Sequence, residues 1–375
     1  MPGSIKLPRG MELYSFMFGD RVVSVPEYVA RGTVPVPSSL LLGIEMAFVL
    51  TAVRLLLDYA VFKPLARRIL GLNPAPMRKG ESVPVLDSLC RVSKKMSPEE
   101  VGAASTASGL SREVVNDYMR RKREHTAQVK QIGKFKEAAW RLLVYSTLVM
   151  YGLHVAYGQP WFKDPSLVWD GWPAGGYRKE LEMYYHFSMG VYWHFAGFQF
   201  YDTRRSDFYQ MLLHHTATLF LLTFSWLVGL IRIGTLVMLA HDVSDIFMET
   251  AKLFNYAQKR FPWCHLVADG LFFVFAAVFA VSRLYIYPKY MVWNVWTAET
   301  LTSVCRLFFC GFLTTLLILH VFWFYLILRM IYMFVFHGVE EDIRSEQDDG
   351  DEDKNASAKR NSHPGASGDL KPKTA

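Results

Sequence analysis

An all-α fold that crosses a membrane several times is predicted by this sequence, on three observations. Of its 375 residues, 51% are hydrophobic and 15% aromatic, and the mean hydropathy is positive at +0.14. Apolar runs of roughly 20 residues recur along the chain, the length a helix needs to cross a hydrocarbon core about 30 Å thick. In the run from Arg204 to Tyr256, ionisable residues sit inside apolar sequence at helical rather than strand spacing. About seven transmembrane helices are expected.

The elements follow in chain order. Residues 1–37 carry Pro2, Pro8, Pro26, Pro35 and Pro37 and lack the continuous apolar stretch of a cleavable signal peptide. They are expected to lie outside the membrane. The first span is 38–62; Glu45 lies well inside it, so the face bearing Glu45 is expected to pack on protein. Residues 63–137 hold 16 Lys/Arg against 8 Asp/Glu and are expected on the cytosolic side. Within them, 111–125 suits a helix capped by Ser111, with Glu113 in its first turn. Its basic end suits DNA, anionic lipid or cofactor phosphates, or simply water beside the membrane.

A second span is expected over 138–157, then a loop (159–179) whose Trp161, Trp169 and Trp172 suit a membrane interface. A third span, 180–201, carries His186 and His194, read as hydrogen-bonded packing histidines. The fourth and fifth form the 204–256 pair, joined by a short turn around Ile231, Arg232 and Gly234. A sixth span (263–287, with Asp269 and Arg283), a loop (288–303, with Trp293 and Trp296) and a last apolar run (304–336) complete the membrane part, 138–336. Cys305 and Cys310 read as small apolar residues, and the four cysteines show no metal spacing.

The tail, 337–375, is acidic and disordered by composition, with six carboxylates in 346–353. Because basic residues gather in one loop and acidic ones in the tail, the net charge of +7 does not imply a nucleic-acid partner. Counting spans from a cytosolic 63–137 puts the N-terminus in the lumen and the C-terminus in the cytosol. Lys371 and Lys373 then resemble a dilysine retrieval signal of the endoplasmic reticulum. Ser345 fits an acid-directed kinase site.

The 204–256 pair carries the chemistry. His241, Asp242, Asp245, Glu249 and Lys252 share one helical stripe, and His214 and Thr218 share another, with His215 beside them. Counted back from a turn at Ile231–Arg232, His214 lies level with Glu249 and Thr218 with Asp245. Ionisable groups at membrane depth cost at least about 2.5 kcal/mol each on the most lenient scale, so they face a wet cavity or one another. The plain alternative is a polar network that only locks two helices together.

The run RRSDFYQMLLHHTATLFLLTFS…RIGTLVMLAHDVSDIFMETAKLFNY resembles the signature of the ceramide synthase (longevity-assurance) family. The segments 134–146, 159–164 and 261–288 are similar to that family as well, and 109–136 faintly resembles its homeobox-like remnant. The resemblance implies a TLC domain over 138–336, six helices enclosing a lipid cavity. It implies acyl-CoA-dependent N-acylation of a sphingoid base to a ceramide or dihydroceramide, in the endoplasmic-reticulum membrane. No bound cofactor and no metal are implied; fatty acyl-CoA is a co-substrate, and a homo- or heterodimer is left open.

On that footing His214 is the expected nucleophile or base, with His215 the alternative. Asp242 and Asp245 would orient and polarise, as carboxylates do in triads. His241, Glu249 and Thr218 would complete the network, and Arg204, Arg205 and Lys252 would meet the CoA phosphates. Residues 288–303 are expected to help set acyl-chain length, with Trp293 and Trp296 narrowing the pocket or anchoring at the interface. One rival is a TLC-domain protein that binds or senses lipid, or assists translocation, without catalysis. A second, a di-iron desaturase, needs H-x-x-H-H or H-x-x-x-H boxes; eleven histidines here form one HH pair and no such box.

Overall fold

The computed structural model describes residues 39–73, 86, 98–172, 178–203 and 205–337, and every regular element among them is helical. The expectations for 1–37, for Arg204, and for Ser345, Lys371, Lys373 and the rest of the tail lie outside the described residues. Contacts divide the chain into two units, one holding residues up to 72 and 131–338, the other 73–130 and the tail.

In the smaller unit α2 (Pro98–Ser108) and the first turns of α3 (Arg112–Ala156) close a small core of Leu86, Val101, Ala104, Val115, Tyr118 and Met119. Ser111 caps α3, its hydroxyl accepting from the Val114 amide at 3.4 Å. Asp117 takes ion pairs from Arg120 (2.7 Å) and Arg121 (3.0 Å), so part of the basic run is neutralised on its own helix. The hydrogen bond from Arg120 holds the Asp117 carboxyl below its ordinary range. The helix expected over 111–125 does not stop there: it runs on unbroken into the second expected span.

The larger unit holds α1 (Leu40–Leu57, continued by a π turn, Asp58–Phe62, into Lys63–Leu70), the rest of α3, a short α4 (Pro160–Lys163), α5 (Lys179–Phe198), α6 (Phe208–Leu227), α7 (Ile231–Ala257), α8 (Cys264–Phe279, continued through Ala280–Val292 to Trp293–Trp296) and α9 (Ser303–His337). By length and composition Leu40–Leu70, Cys264–Trp296 and Ser303–Phe336 are each apolar enough to cross a membrane. The other four expected spans fall on α3, α5, α6 and α7, where charged and polar residues interrupt the apolar sequence.

In lipid, apolar side chains gain little by leaving one hydrocarbon surface for another, so interhelical polar contacts and tight packing matter more. On α1, Arg54 reaches Asp202 at 2.5 Å and lies 4.1 Å over the Phe198 ring, and Asp58 pairs with Lys136 at 2.8 Å. Glu45, by contrast, is exposed, contrary to the expectation that its face packs on protein. The face of α1 that meets α5 is the one bearing Gly43, Leu50 and Arg54. His194 is the packing histidine expected. Trp140 donates to its Nε2 at 3.1 Å, and its Nδ1 lies 2.9 Å from Thr51, whose hydroxyl donates to Ala47. Since indole is only a donor, the proton sits on Nδ1 and the ring is neutral.

Three further boundaries differ from expectation. The α6–α7 turn is Val228–Leu230, not 231–234. Gly229, at φ +74°, ends α6, with the Leu230 amide bonded to Ser225 and the Gly229 amide to Trp226. That pair of bonds is a Schellman ending, which favours glycine at the left-handed position. Residues 288–296 are helical rather than loop, and the turn is 297–302. A π segment over Ala280–Val292 carries the helix through Pro288. Its wider winding keeps Arg283, Tyr287 and Met291, spaced by four, on one buried face. Trp293 and Trp296 then point outward, 63% and 51% exposed, while Val295 is buried.

The tryptophans of 159–172 brace the protein's own end. Trp161 is buried, Trp169 donates to Asn294 at 2.5 Å, and Trp172 donates to the Val228 carbonyl at 3.1 Å.

Candidate active site

A narrow apolar cavity lies among α5, α6, α7, α8 and α9, with room of about 40 Å³ for the centre of a water-sized sphere. Val295, Leu230 and Ile233 line the end near the α6–α7 turn; Thr218, Tyr192 and His241 line the other. Its walls are mostly Leu, Val, Ile and Phe, with Tyr185 and Ser225 hydrogen-bonded to each other inside. Tyr185 reaches that far because α7 has Gly234 at the contact: a Cβ there would overlap the Tyr185 hydroxyl.

Beyond Thr218 and Leu316, one helical turn further along α6 and α9, stand His214 and His320. Together with His241 they make a group of three imidazoles. Ring centroids are 6.1 Å apart for His214–His241, 4.6 Å for His241–His320 and 6.4 Å for His214–His320. Tyr287 and Trp323 wall the group: Tyr287 lies 5.0 Å from His241 and 5.3 Å from His320, and Trp323 lies 5.4 Å from His214. Tyr287 is itself pinned by donating to the Leu313 carbonyl at 2.7 Å.

The tautomer of His241 follows from its neighbours. Its Nδ1 lies 2.6 Å from the Val237 carbonyl, which can only accept, so Nδ1 carries the proton. Nε2 is then left with its lone pair, buried and with no hydrogen-bond partner. Nδ1 of His214 and both ring nitrogens of His320 are buried and unpartnered too. Such groups are costly in a low-dielectric interior and are expected where chemistry uses them.

His215 turns from this group toward α5, although its ring lies 5.7 Å from that of His214. It is buried and faces α5, 6.5 Å from Phe195. The carboxylates do not touch the imidazoles as triad logic expects. Asp242 accepts from Tyr192 at 2.7 Å, and Asp245 pairs with Arg283 at 2.8 Å. Arg283 in turn donates to the His241 carbonyl at 2.5 Å. The aspartates thus hold a cavity tyrosine and an arginine that grips the backbone of His241. Thr218 donates to the His214 carbonyl at 2.8 Å. With the turn at 228–230, His214 lies level with the stretch just after His241 rather than with Glu249.

Glu249 and Lys252, paired at 2.8 Å, belong to a charged layer further toward the Arg205 end. There Glu137 is bridged by Arg205 (2.8 Å) and Arg141 (3.0 Å), and Asp202 by Arg54 and Arg141. Arg54, Arg141, Arg205 and Lys252 set four cations against the three carboxylates Glu137, Asp202 and Glu249. Among the described residues no three His, Cys, Asp or Glu side chains take the arrangement of a metal cage.

Sequence reasoning missed His320, and passed over Arg283, Tyr192 and Tyr287. A signal for His320 was present: it is the one His, Lys, Arg, Asp or Glu between Arg306 and Arg329. An ionisable residue in the middle of an apolar span is a site candidate on that ground alone. Tyr192 and Tyr287 carried no such mark, being two of nineteen tyrosines.

A helical membrane unit with a histidine group capping an apolar cavity matches a known domain. The TLC-domain family model covers residues 134–329, and the chain belongs to that family. Three relatives share one name. Ceramide synthase 4 of Homo sapiens is 33% identical over 331 residues, 86% of this chain and 82% of the relative. Ceramide synthase 3 of Homo sapiens is 32% identical, over 84% and 81% of the two chains. Ceramide synthase LOH2 of Arabidopsis thaliana is 36% identical, over 59% and 77%.

Proposed function

We propose that this protein is a sphingoid-base N-acyltransferase, transferring a fatty acyl group from CoA to the amine of a sphingoid base to give a ceramide or dihydroceramide. The observation that carries the reading is the group of three imidazoles with unpartnered buried nitrogens at one mouth of an apolar cavity. An amine attacking a thioester must lose a proton, and the departing thiolate must gain one. His214 is the nucleophile or base, half-buried at the centre of the group; His215, the next residue on α6 with its ring 5.7 Å away, is the alternative. His241 offers a lone pair at Nε2 with its tautomer set by Val237. Asp245, through Arg283, and Asp242, through Tyr192, are positioning residues. The cavity takes the acyl chain.

Acyl-CoA enters as a co-substrate, and no bound cofactor is required by these steps. The charged layer at the Arg205 end holds Arg54, Arg141, Arg205 and Lys252, and Arg205 and Lys252 supply contacts for the CoA phosphates. The protein works in the endoplasmic-reticulum membrane with its N-terminus in the lumen and its C-terminus in the cytosol, so CoA approaches from the cytosolic side. Resemblance to the named relatives over most of the chain supports the same reaction.

The test is direct. Purified protein in detergent or proteoliposomes is given sphinganine or sphingosine with a panel of acyl-CoA species, and the product is identified by mass spectrometry. An N-acyl product whose formation needs acyl-CoA and is lost in His214→Ala supports the reading. Folded wild-type protein that forms no amide with any pair sinks it.

A further inference from the structure

The last helix contributes a group to the reaction centre. His320 is completely buried, and polar side chains near it among the described residues belong to the site: His214 on α6, His241 on α7, Arg283 and Tyr287 on α8. Phe279 and Trp323 supply the rest of its surroundings. Of the two histidines expected to pack, His194 spends both ring nitrogens on Trp140 and Thr51, whereas His186, set against the Trp226 ring, leaves Nδ1 without a partner. No side chain hydrogen-bonds either nitrogen of His320; the Arg283 backbone carbonyl lies near enough to steady one of them and leaves the other free. Tyr287 could have supplied a side-chain bond, but its hydroxyl is committed to the Leu313 carbonyl. The nearest unpartnered polar ring is His241, whose Nε2 is unprotonated by the tautomer argument and also lacks a partner.

We propose that His320 is a positioning and proton-relay residue for the acyl transfer, acting through His241. It rests on the acylation reading given above. The two rings, 4.6 Å apart between centroids, are close enough for a small rotation of either to bring an unprotonated nitrogen of His320 within reach of His241 Nε2 once that atom carries a proton. In the net reaction the amide C–N bond forms and the thioester C–S bond breaks. One proton leaves the amine nitrogen and one ends on the CoA sulfur. His241 Nε2 takes the amine proton, and His320 holds it on the second imidazole until the thiolate collects it. The relay consumes nothing and needs no redox partner. It also explains why a titratable residue stands in the middle of α9.

The experiment compares wild type with His320→Gln and His320→Phe, two variants of similar bulk that cannot relay a proton. Each is purified in detergent and checked for a wild-type elution profile before kinetics with saturating acyl-CoA and sphinganine. The expected result is a fall of about a hundredfold in kcat with KM for both substrates within about twofold. The pH–rate profile should lose one limb, and added imidazole should restore part of the rate in a third variant, His320→Gly. The profile is shared with His214, His241, Asp242, Asp245, Arg283 and Tyr287, so the loss is read against a His214→Gln control. Folded Gln or Phe variants with unchanged kcat and an unchanged pH profile overturn the proposal. So does a rate loss that comes with an unchanged profile, no response to imidazole and a lower melting temperature, since that is the behaviour of a packing residue. Wild-type protein that makes no amide overturns the acylation reading and this one with it; an active wild type beside unaffected variants overturns this one alone.

Discussion

At the scale of single residues, the adjacent pair His214–His215 divides into two environments. Neighbours in a helix point about 100° apart, so only one of them can face the imidazole group. His214 does, and His215 packs toward Phe195 on α5. His214→Ala is therefore expected to lower kcat by at least about a hundredfold, while His215→Ala lowers it by less than about tenfold. Steady-state kinetics on the two folded variants check this, and equal losses would mean that both rings work. Tyr192 supplies a second case. Its hydroxyl is the one hydrogen-bond donor found for Asp242, whose other oxygen is buried without a partner. Tyr192→Phe removes that donor and leaves the carboxyl unsatisfied, at a cost of about 1–3 kcal/mol. A fall in melting temperature in detergent is the readout, with Tyr192→Phe, Asp242→Leu recovering part of it. The double histidine and the His-Asp-x-x-Asp stripe were legible in the sequence because ionisable groups stand out against apolar spans. What each aspartate holds was not, since Tyr192 and Arg283 come from other helices.

At the scale of elements, two helix ends and one irregular segment decide where the site lies. Gly229 was a legible stop signal, but the more polar Arg232 and Gly234 drew the turn three residues too far along. Because α6 and α7 run antiparallel, an error of that size at the turn doubles when positions are matched across the pair, which is how Glu249 was set beside His214. Gly234 has a different duty, letting Tyr185 approach α7. Gly234→Ala should force that ring away from Ser225 and destabilise by about 1–3 kcal/mol, more than its helix-favouring effect returns; thermal unfolding in detergent checks the sign. The π segment of α8 was not legible, since composition and hydropathy are alike for α and π winding. Its consequence is the Arg283–Asp245 pair. Arg283→Leu strands a buried carboxylate and is expected to cost about 3–5 kcal/mol, with much of the loss regained in Arg283→Leu, Asp245→Leu. A double variant no more stable than the single one would show that the pair itself, and not its broken remainder, is what matters.

Across the whole molecule, the order of apolar segments was legible because each helix needs its own run of hydrophobic residues, and all seven expected spans fall on helices. Which side chains turn inward was not, as at Glu45 and at Trp293 and Trp296. That matters for chain length. With both tryptophans outward, the end of the cavity near the α6–α7 turn is lined by Val295, together with Leu230 and Ile233. From Leu230 to His241 on α7 is eleven residues, about 16 Å at ~1.5 Å per residue. His214 and His320 stand one turn beyond the cavity-lining Thr218 and Leu316, adding about 5 Å. An extended chain advances roughly 1.2 Å per bond, so an acyl group held at the histidines and ending at Val295 has about 16–18 carbons. The acyl-CoA profile is expected to centre there. Selection should be graded, because each buried methylene contributes about 0.8 kcal/mol, or roughly fourfold. Val295→Phe should move the profile to shorter chains and Val295→Ala to longer ones, whereas Trp293→Ala should leave it in place. Product profiling with an equimolar mixture of acyl-CoA species separates these outcomes. A profile that follows Trp293 and ignores Val295 would mean that the chain leaves the cavity before its Val295 end and is measured at the outer face of α8.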